Sequence, residues 1–530
     1  MVTEDQTEVI AFLGLASTHG GAPVERIETH ASVVFLAGPR ALKLKRAVRY
    51  DYLDFSTSAR RRAMCEAEVR TNRRAAPALY KGVLAVTRER DGSLALGGSG
   101  VPLDWVVEMA RFDQQGLFDR LAERGSLDLG LMPSLAAAIA DFHVSAQRRR
   151  DHGGKAGMAW VIDGNVTGLV EEGADILDRE ACNRLSIDSM CELERHGPQL
   201  DARQQTGFVR QCHGDLHLRN IVRIEGHPTL FDAIEFNDDI ACIDVMYDLA
   251  FLLMDLWRRR LPRHANAVFN GYLARTLDFG GLSPLPLFLS CRAAVRAKTS
   301  ATSARLQSDR DRRSELETLS RGYLDIAQGL LHPAKPCFIA VGGLSGSGKS
   351  TLALSLAPLT GGVPGAVVIR SDEVRKQLCG VPSLARLGPE GYTADISSRV
   401  YATMASRADL IVRSSRSVIV DAVFARSPDR EAIERTAATA NVAFAGIWLD
   451  APESTLVARV ERRPADPSDA DAGVVRRQLA DDLGTITWHH LNASAEADAL
   501  LQQANRVLAI SDDPAAGGIA APHRGDSARP

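Results

Sequence analysis

The chain has 530 residues, of which 45% are hydrophobic and 24% charged, and its formal net charge is −3. This length predicts more than one hydrophobic core and is sufficient for two enzymes. The near-neutral charge excludes a global positive field for nucleic acid or an anionic membrane, and no apolar run approaches the ~18 residues of a membrane span.

The eight cysteines are scattered without a CxxC pair, which predicts reduced thiols rather than a zinc site or a disulfide framework. The N-terminus is acidic where a secretory signal would be basic. We therefore expect a cytoplasmic protein with neither nucleic acid nor membrane as its partner. The oligomeric state is not encoded in any pattern of this sequence.

The first elements of the chain predict a small mixed sheet. Residues 31–48 alternate as two short strands around a Gly-Pro turn at 38–39, which indicates a hairpin. A further strand is predicted over 103–112, and residues 113–205 show apolar positions at helical spacing. This order predicts a strand-rich lobe followed by a helical one.

Lysines and glutamates follow each other on the first strands and the next helix. Lys43 and Lys45 share one face of the second strand, and the helix predicted over 56–76 carries Glu66 and Glu68 near its middle. Kinases use a strand lysine and a helix glutamate to position nucleotide phosphates. A surface ion pair is the competing interpretation.

The stretch CHGDLHLRN at 212–220 places Asp215 and Asn220 at the D-x-x-x-x-N interval of a kinase catalytic loop. In such a loop the aspartate accepts the proton of the attacking hydroxyl and the asparagine holds Mg²⁺. His213 and His217 offer two other interpretations, zinc ligands one helical turn apart or buried histidines of a structural turn. Gly214 and the strand that follows favour a loop over the helix that zinc would need.

A second metal carboxylate is expected in the segment TLFDAIEF at 229–236. Asp232 and Glu235 are an odd number of residues apart, so a regular strand would direct only one of them at the site. We favour Asp232 and keep Glu235 as the other candidate.

These residues resemble the aminoglycoside phosphotransferase-like kinases, whose HGDxHxxN loop is matched by residues 213–220. The resemblance covers 30 to about 300 and implies a protein-kinase-like α+β fold with Lys43 as the phosphate lysine and Glu68 as its partner. It also implies an acidic metal ligand after the loop and a D-L-A segment, matched by 248–250. The sequence departs from the family because no glycine-rich loop precedes Lys43.

The second half contains GGLSGSGKST at 342–351, a Walker A motif between a predicted strand at 337–341 and a predicted helix at 351–359. Glycines let backbone N–H groups surround phosphates, Lys349 reaches the terminal phosphates and the Ser350 hydroxyl can hold Mg²⁺. The predicted nucleotide-binding residues are Gly343, Leu344, Ser345, Gly346, Ser347, Gly348, Lys349, Ser350 and Thr351. The motif predicts an ATP site.

Further candidate residues follow the Walker A motif. Strand 417–424 carries Asp421 as a Walker-B-like residue, and Ala422 stands where AAA-type ATP hydrolases usually carry a glutamate, which favours transfer to a bound acceptor. The arginines Arg459, Arg462 and Arg463 begin a predicted lid over 459–471. Solvated helix-end arginines are the alternative.

Residues 337 to about 510 resemble small P-loop kinases, the group of gluconate kinase, zeta toxin and chloramphenicol phosphotransferase-like proteins, which implies an α/β domain with a parallel sheet. The resemblance implies Asp372 as catalytic base or substrate ligand and Arg375 as a substrate anchor. A helix N-cap is the alternative role of Asp372.

The order of the two parts resembles bacterial bifunctional aminoglycoside phosphotransferase/ATP-binding proteins. We predict a kinase domain at 1–331, a linker at 332–336, a P-loop domain at 337–510 and a disordered tail at 511–530. The predicted activity is ATP- and Mg²⁺-dependent phosphate transfer to hydroxyl groups of small molecules at two nucleotide sites. The alternative is that one domain is an ATP-binding regulatory or scaffolding module that controls the other.

Overall fold

The computed structural model describes residues 2–50, 52–462 and 467–511. The described residues divide into two compact units, one within 1–164 and 190–255, the other within 165–189 and from 256 onward. The linker predicted at 332–336 lies inside the second unit. Most of the predicted tail, 512–530, lies outside the described residues.

The strands are β1 (Val24–Glu28), β2 (Ser32–Ala37), β3 (Arg40–Lys45), β4 (Arg49–Tyr50), β5 (Leu53–Asp54), β6 (Tyr80–Arg88), β7 (Leu94–Leu96), β8 (Val101–Ala110), β9 (Val209–Gln211), β10 (Ile221–Ile224), β11 (His227–Leu230), β12 (Cys242–Asp244), β13 (Cys337–Gly343), β14 (Val367–Arg370), β15 (Val418–Asp421), β16 (Ala443–Asp450) and β17 (His489–Asn492).

The helices are α1 (Thr7–Leu13), α2 (Ser58–Asn72), α3 (Phe118–Glu123), α4 (Met132–Val144), α5 (Gly154–Thr167), α6 (Arg179–Thr206), α7 (Asp238–Ala241), α8 (Val245–Arg258), α9 (Pro262–Thr276), α10 (Leu285–Leu306), α11 (Arg310–Leu331), α12 (Lys349–Leu356), α13 (Ser371–Leu378), α14 (Ala394–Arg413), α15 (Ser427–Thr439), α16 (Glu453–Glu461), α17 (Ala472–Ala480) and α18 (Ala497–Ser511).

The first unit is built on an antiparallel sheet of order β1-β2-β3-β8-β6-β7. The predicted hairpin is confirmed as β2 and β3, paired with Phe35 opposite Leu42. Alternation gives β3 two faces: Leu42 and Leu44 enter the core beside α1, whereas the two lysines between and after them face α2. Helix α2 begins where the Thr57 hydroxyl accepts the backbone N–H of Arg60.

The second unit contains a parallel sheet of order β14-β15-β13-β16-β17, which confirms the predicted α/β P-loop fold. Its central strand β13 reads CFIAVGG and is buried, as strands covered on both faces are. The first turn of α12 follows directly after the Walker A loop, so the phosphate-binding loop joins the sheet to a helix N-terminus. Helices α9, α10 and α11 belong to this same unit.

The eight cysteines are thiols and not disulfides. Within the described part of the chain no helix has both the length and the apolar character of a bilayer span.

Candidate active sites

The first site is organised by two lysines of β3 and one glutamate of α2. Lys43 Nζ lies 2.9 Å from Glu68 Oε1, and Lys45 Nζ lies 2.6 Å from Glu68 Oε2. The Glu68 carboxylate is fully buried, so both of its oxygens are paired. Glu66, the other helix candidate, instead forms an exposed pair with Arg62. The structure thus brings the predicted Lys43 and Glu68 together and adds Lys45 to the pair.

Two further carboxylates complete this group of charges. Asp232 Oδ1 lies 2.5 Å from Lys43 Nζ, and Glu235 Oε1 lies 2.5 Å from Lys45 Nζ. The Asp232 side chain is 45% exposed whereas that of Glu235 is 4% exposed. Only Asp232 therefore has a carboxylate that solvent or a ligand reaches.

Asp232 and Glu235 do not lie on a regular strand, so their odd spacing does not decide which of them faces the site. Strand β11 ends at Leu230, and Asp232 has a left-handed φ of 62°. The backbone irregularity lets both carboxylates reach the lysine pair. Asn72 fixes the segment by bonding both backbone groups of Ala233.

The electrostatics of the cluster follow from burial and proximity. Burial alone would raise the pKa of Glu68, but Lys43 and Lys45 outweigh it and lower the value to about 2. Burial opposes the charged form of Lys43, yet the carboxylates of Asp232 and Glu68 hold its pKa well above the usual value. For Glu235, burial is the largest effect and raises the pKa to about 7 against the attraction of Lys45. In this cluster the cation Lys43 pairs with the exposed Asp232, and the buried carboxyl groups of Glu68 and Glu235 both contact Lys45.

The predicted catalytic loop brings Asp215 and Asn220 together. Asn220 Nδ2 donates to Asp215 Oδ2 and to the Asp215 carbonyl, both at 2.9 Å. The backbone N–H of Phe231 donates to the Asn220 carbonyl (3.1 Å), which places the residue before Asp232 against the loop. Asparagine and aspartate oxygens are ligands that Mg²⁺ accepts, so Asn220 and Asp232 fit this ion.

Both histidines of the loop have structural contacts, and the zinc interpretation is not supported. No helix forms over 213–217, so the two rings are not stacked one helical turn apart. His213 Nε2 donates to the Phe231 carbonyl (2.9 Å), and burial lowers its pKa. His217 Nδ1 accepts the N–H of Arg219.

Asp248, the aspartate of the predicted D-L-A segment, holds the backbone of the predicted catalytic loop. Its carboxylate is fully buried and accepts the backbone N–H groups of His213 (3.0 Å) and Gly214 (2.8 Å). His143 Nε2 lies 3.0 Å from the same carboxylate. His143 and Asp248 form a buried group with Cys212, and Asp248 there serves as a backbone acceptor.

The second site is the cavity at the Walker A loop, with a volume of about 1120 Å³. Gly346 has a φ of 85°, and a Cβ at this position would lie 2.4 Å from the Leu456 carbonyl oxygen, so only glycine fits. Ser347 Oγ is fully buried and has no hydrogen-bond partner among the described residues. An orphaned donor inside a phosphate-binding loop fits an anionic oxygen. All the predicted Walker A residues except Gly343 and Leu344 line the cavity.

Ser350 and Asp421 meet behind the loop. Ser350 Oγ donates to Asp421 Oδ2 over 2.5 Å, and Arg370 Nε lies 3.6 Å from the same oxygen. Burial raises the pKa of Asp421, while Lys349 and Arg370 oppose this. A hydroxyl beside a carboxylate is an oxygen set that Mg²⁺ prefers, so these residues fit the ion.

Asp372 and Arg375 both line this cavity from α13. The N-cap alternative for Asp372 is wrong, because the cap is Arg370 and Asp372 lies inside the first turn. Arg375 is buried, donates to the Gly391 carbonyl (2.8 Å) and lies over the Tyr392 ring. Its role as a substrate anchor stays a prediction.

The predicted lid arginines are only partly covered by the structure. Arg459 lies in α16, lines the cavity and places Nη1 3.4 Å from the Ser347 carbonyl. Arg462 also lines the cavity. Arg463 lies outside the described residues.

Sequence reasoning missed Asp469, which lines the cavity and joins three segments of the chain. Its carboxylate accepts from Lys376 Nζ (2.9 Å), Tyr392 Oη (2.8 Å) and the Leu387 N–H (3.1 Å). No motif marks these residues, because the contact joins positions more than 70 residues apart.

Comparisons with known proteins found one family model and several relatives similar to this chain. A family model described as "AAA domain" matches residues 338–481. The chain is 30% identical over 491 residues to "Uncharacterized protein Rv2004c" of Mycobacterium tuberculosis and to "Uncharacterized protein Mb2027c" of Mycobacterium bovis, covering 91% of this chain and 94% of each relative.

Two solved structures are similar to parts of the chain. A choline/ethanolamine kinase family protein from Mesorhizobium loti is 14% identical, covers 61% of this chain and 94% of its own, and has a TM-score of 0.39. A gluconokinase from Sinorhizobium meliloti is 22% identical, covers 33% of this chain and 94% of its own, and has a TM-score of 0.25.

The fold and the two residue clusters define a chain that joins an aminoglycoside phosphotransferase-like kinase fold to a P-loop kinase fold. It belongs to the same family as the mycobacterial proteins Rv2004c and Mb2027c.

Proposed function

We propose that this protein is an ATP- and Mg²⁺-dependent phosphotransferase with two nucleotide sites, each acting on a hydroxyl group of a small molecule. The observation that carries the proposal is the P-loop cavity, which Lys349, Ser350 and Asp372 line together. Such a cavity has the size of a nucleotide site with room for an acceptor. Phosphoryl transfer needs positioning and charge stabilisation more than covalent catalysis, and these residue types supply both.

In the P-loop site, Asp372 accepts the proton of the acceptor hydroxyl. The hydroxyl oxygen forms a bond to the γ-phosphorus of ATP, while the bond between this phosphorus and the ADP oxygen breaks and ADP leaves. Lys349 stabilises the charge on the transferring phosphate. Ser350 and Asp421 would hold Mg²⁺, which when bound neutralises phosphate oxygens and orients them. Ala422 leaves the site without the glutamate that activates water in AAA-type hydrolases, which supports transfer to an acceptor.

In the first site, Asp215 takes the role of base for a second acceptor, and Lys43 positions the phosphates. Asn220 and Asp232 would hold Mg²⁺. We assign Glu235 to a different role, that of counter-ion to Lys45, since its carboxylate is buried against that lysine. In the structure Lys43 pairs with the Asp232 carboxylate. When a nucleotide binds, its phosphates would replace this carboxylate as the partner of Lys43.

The experiment measures ADP release from Mg-ATP with a pooled library of hydroxyl-bearing metabolites and aminoglycosides. Wild type is compared with Asp215→Asn and Lys349→Ala, and with the matched exposed controls Asp163→Asn and Lys335→Ala. Two kinases in one chain give two acceptor-dependent signals, each abolished by one variant and by neither control. If Lys349→Ala removes all turnover whereas Asp215→Asn leaves turnover unchanged, the first site is a binding module.

A further inference from the structure

The edge strand of the P-loop sheet, β14, is completed by side chains of helix α9. Among the strands of the described residues, β14 pairs with β15 alone, along one of its two edges. On its other side, Asn270 Oδ1 accepts the backbone N–H of Val368 (2.7 Å) and Asn270 Nδ2 donates to the Ala366 carbonyl (3.2 Å). One carboxamide therefore does what a peptide group of a neighbouring strand would do.

Asn266, one helical turn before Asn270, extends the same contact. Its Nδ2 donates to the carbonyls of Pro364 (3.1 Å) and Ala366 (3.0 Å), and its Oδ1 accepts from Asn270 Nδ2 (3.0 Å). Asn266 is 3% exposed, so these bonds are formed away from water. A carboxamide offers a donor and an acceptor side by side at the spacing that this edge needs.

The same helix also holds the far end of the segment that follows β14. Gln377, near the end of α13, donates from Nε2 to the Ala274 carbonyl in the last turn of α9 (2.9 Å). Such a carbonyl has no partner within its own helix. Gln377 Oε1 accepts in turn from Arg407 Nη1 (2.6 Å). Helix α9 thus fixes both the start of β14 and the end of α13.

The residues between these two anchors belong to the P-loop site. Arg370 reaches Asp421, and Asp372 and Arg375 line the cavity. We propose that Asn266 and Asn270 are positioning residues of the P-loop site, which hold β14 and α13 so that Asp372 faces the phosphate transferred beside Lys349. This inference rests on the proposed function.

The test compares full-length wild type with Asn270→Asp, which keeps size and acceptor but turns an oxygen toward the Ala366 carbonyl. Arg263→Ala, an exposed change on the same helix, is the control. Hydrogen exchange is measured with saturating Mg-ADP. We expect exchange over residues 366–378 to rise at least ~10-fold in Asn270→Asp, with the central strand at 337–343 unchanged. Unchanged exchange, or an equal rise in both segments, overturns the positioning role.

A kinetic readout separates positioning from mere stability. In the pooled-acceptor assay, the Lys349-dependent turnover of Asn270→Asp should fall ~10- to 100-fold in kcat, while the KM for Mg-ATP stays within about threefold. A proportional rise in KM, or an unaltered kcat, contradicts the inference. Absence of Lys349-dependent turnover in wild type instead refutes the proposed function, and the exchange experiment then still decides whether α9 holds β14 and α13.

Discussion

Lys45 and Glu235 form an ion pair with 2.5 Å between Nζ and Oε1, and their side chains are only 2% and 4% exposed. An unpaired buried charge is strongly destabilising. Removing one partner therefore lowers the free energy of unfolding by more than the intact pair contributes to it. Lys43, in the same cluster, has a partner in Asp232 that is 45% exposed. We therefore expect Lys45 to matter mainly for stability and Lys43 mainly for ligand contact.

We predict that Lys45→Met destabilises the protein by about 3 kcal/mol, because it removes the cation that pairs with the buried carboxyl groups of Glu68 and Glu235. Lys43→Met should cost less stability but remove the turnover that depends on Asp215. Urea unfolding and the ADP-release assay measure the two effects. Lys45→Met/Glu235→Gln serves as the control, since it removes both charges and should regain stability; equal losses in all three variants would count against the division.

The low pKa of Glu68 predicts a stability change in acid. Its folded value of about 2 lies below the ordinary 4.5, so the charged form stabilises the fold above pH 4.5 and this contribution is lost as the pH falls toward 2. The shift corresponds to about 3 kcal/mol. Denaturant unfolding of wild type and Glu68→Gln at pH 6, 5, 4 and 3 should show a difference that narrows with falling pH. A constant difference across these pH values would argue against the lysine pair as the cause.

Gly346→Ala should remove nucleotide binding at the P-loop. The new methyl group would lie 2.4 Å from the Leu456 carbonyl oxygen, and the left-handed backbone adds about 1–2 kcal/mol of strain. We expect the thermal shift produced by Mg-ADP at this site to disappear. Gly322→Ala is the matched control, because no atom lies within 4 Å of a Cβ there and alanine in the middle of α11 should stabilise. Retained Mg-ADP protection in Gly346→Ala would mean that the loop is not the nucleotide site.

Asp421→Ala should weaken the binding of Mg-ADP more than the binding of metal-free ADP. Removing the carboxylate leaves the Ser350 hydroxyl without the acceptor that orients it, and we expect a loss of ~10- to 100-fold in the affinity for Mg-ADP. Calorimetry with and without EDTA checks this, since the affinity for metal-free ADP should change little. An equal loss under both conditions would point to a damaged loop.

The elements and the local motifs of this chain could be predicted, whereas long-range partners could not. The Walker A loop and the Asp215 to Asn220 interval depend on residues close in sequence, so spacing alone identified them. The preference for Asp232 over Glu235 rested on a regular strand that does not form, because the left-handed backbone at Asp232 has no sequence signal of its own. No periodicity could indicate that Asn270 completes β14, because the bond spans 98 residues.

The contact between α9 and β14 has a consequence for how the chain tolerates dissection. A fragment that starts at residue 337, the natural choice from sequence, would lose α9 and leave the N–H and carbonyl groups of β14 facing water along an open edge. Open edges of this kind recruit strands from other molecules. Such a fragment should self-associate, whereas one that starts before Pro262 keeps the edge covered. The residues that precede the P-loop sheet in the chain therefore help to keep this sheet soluble.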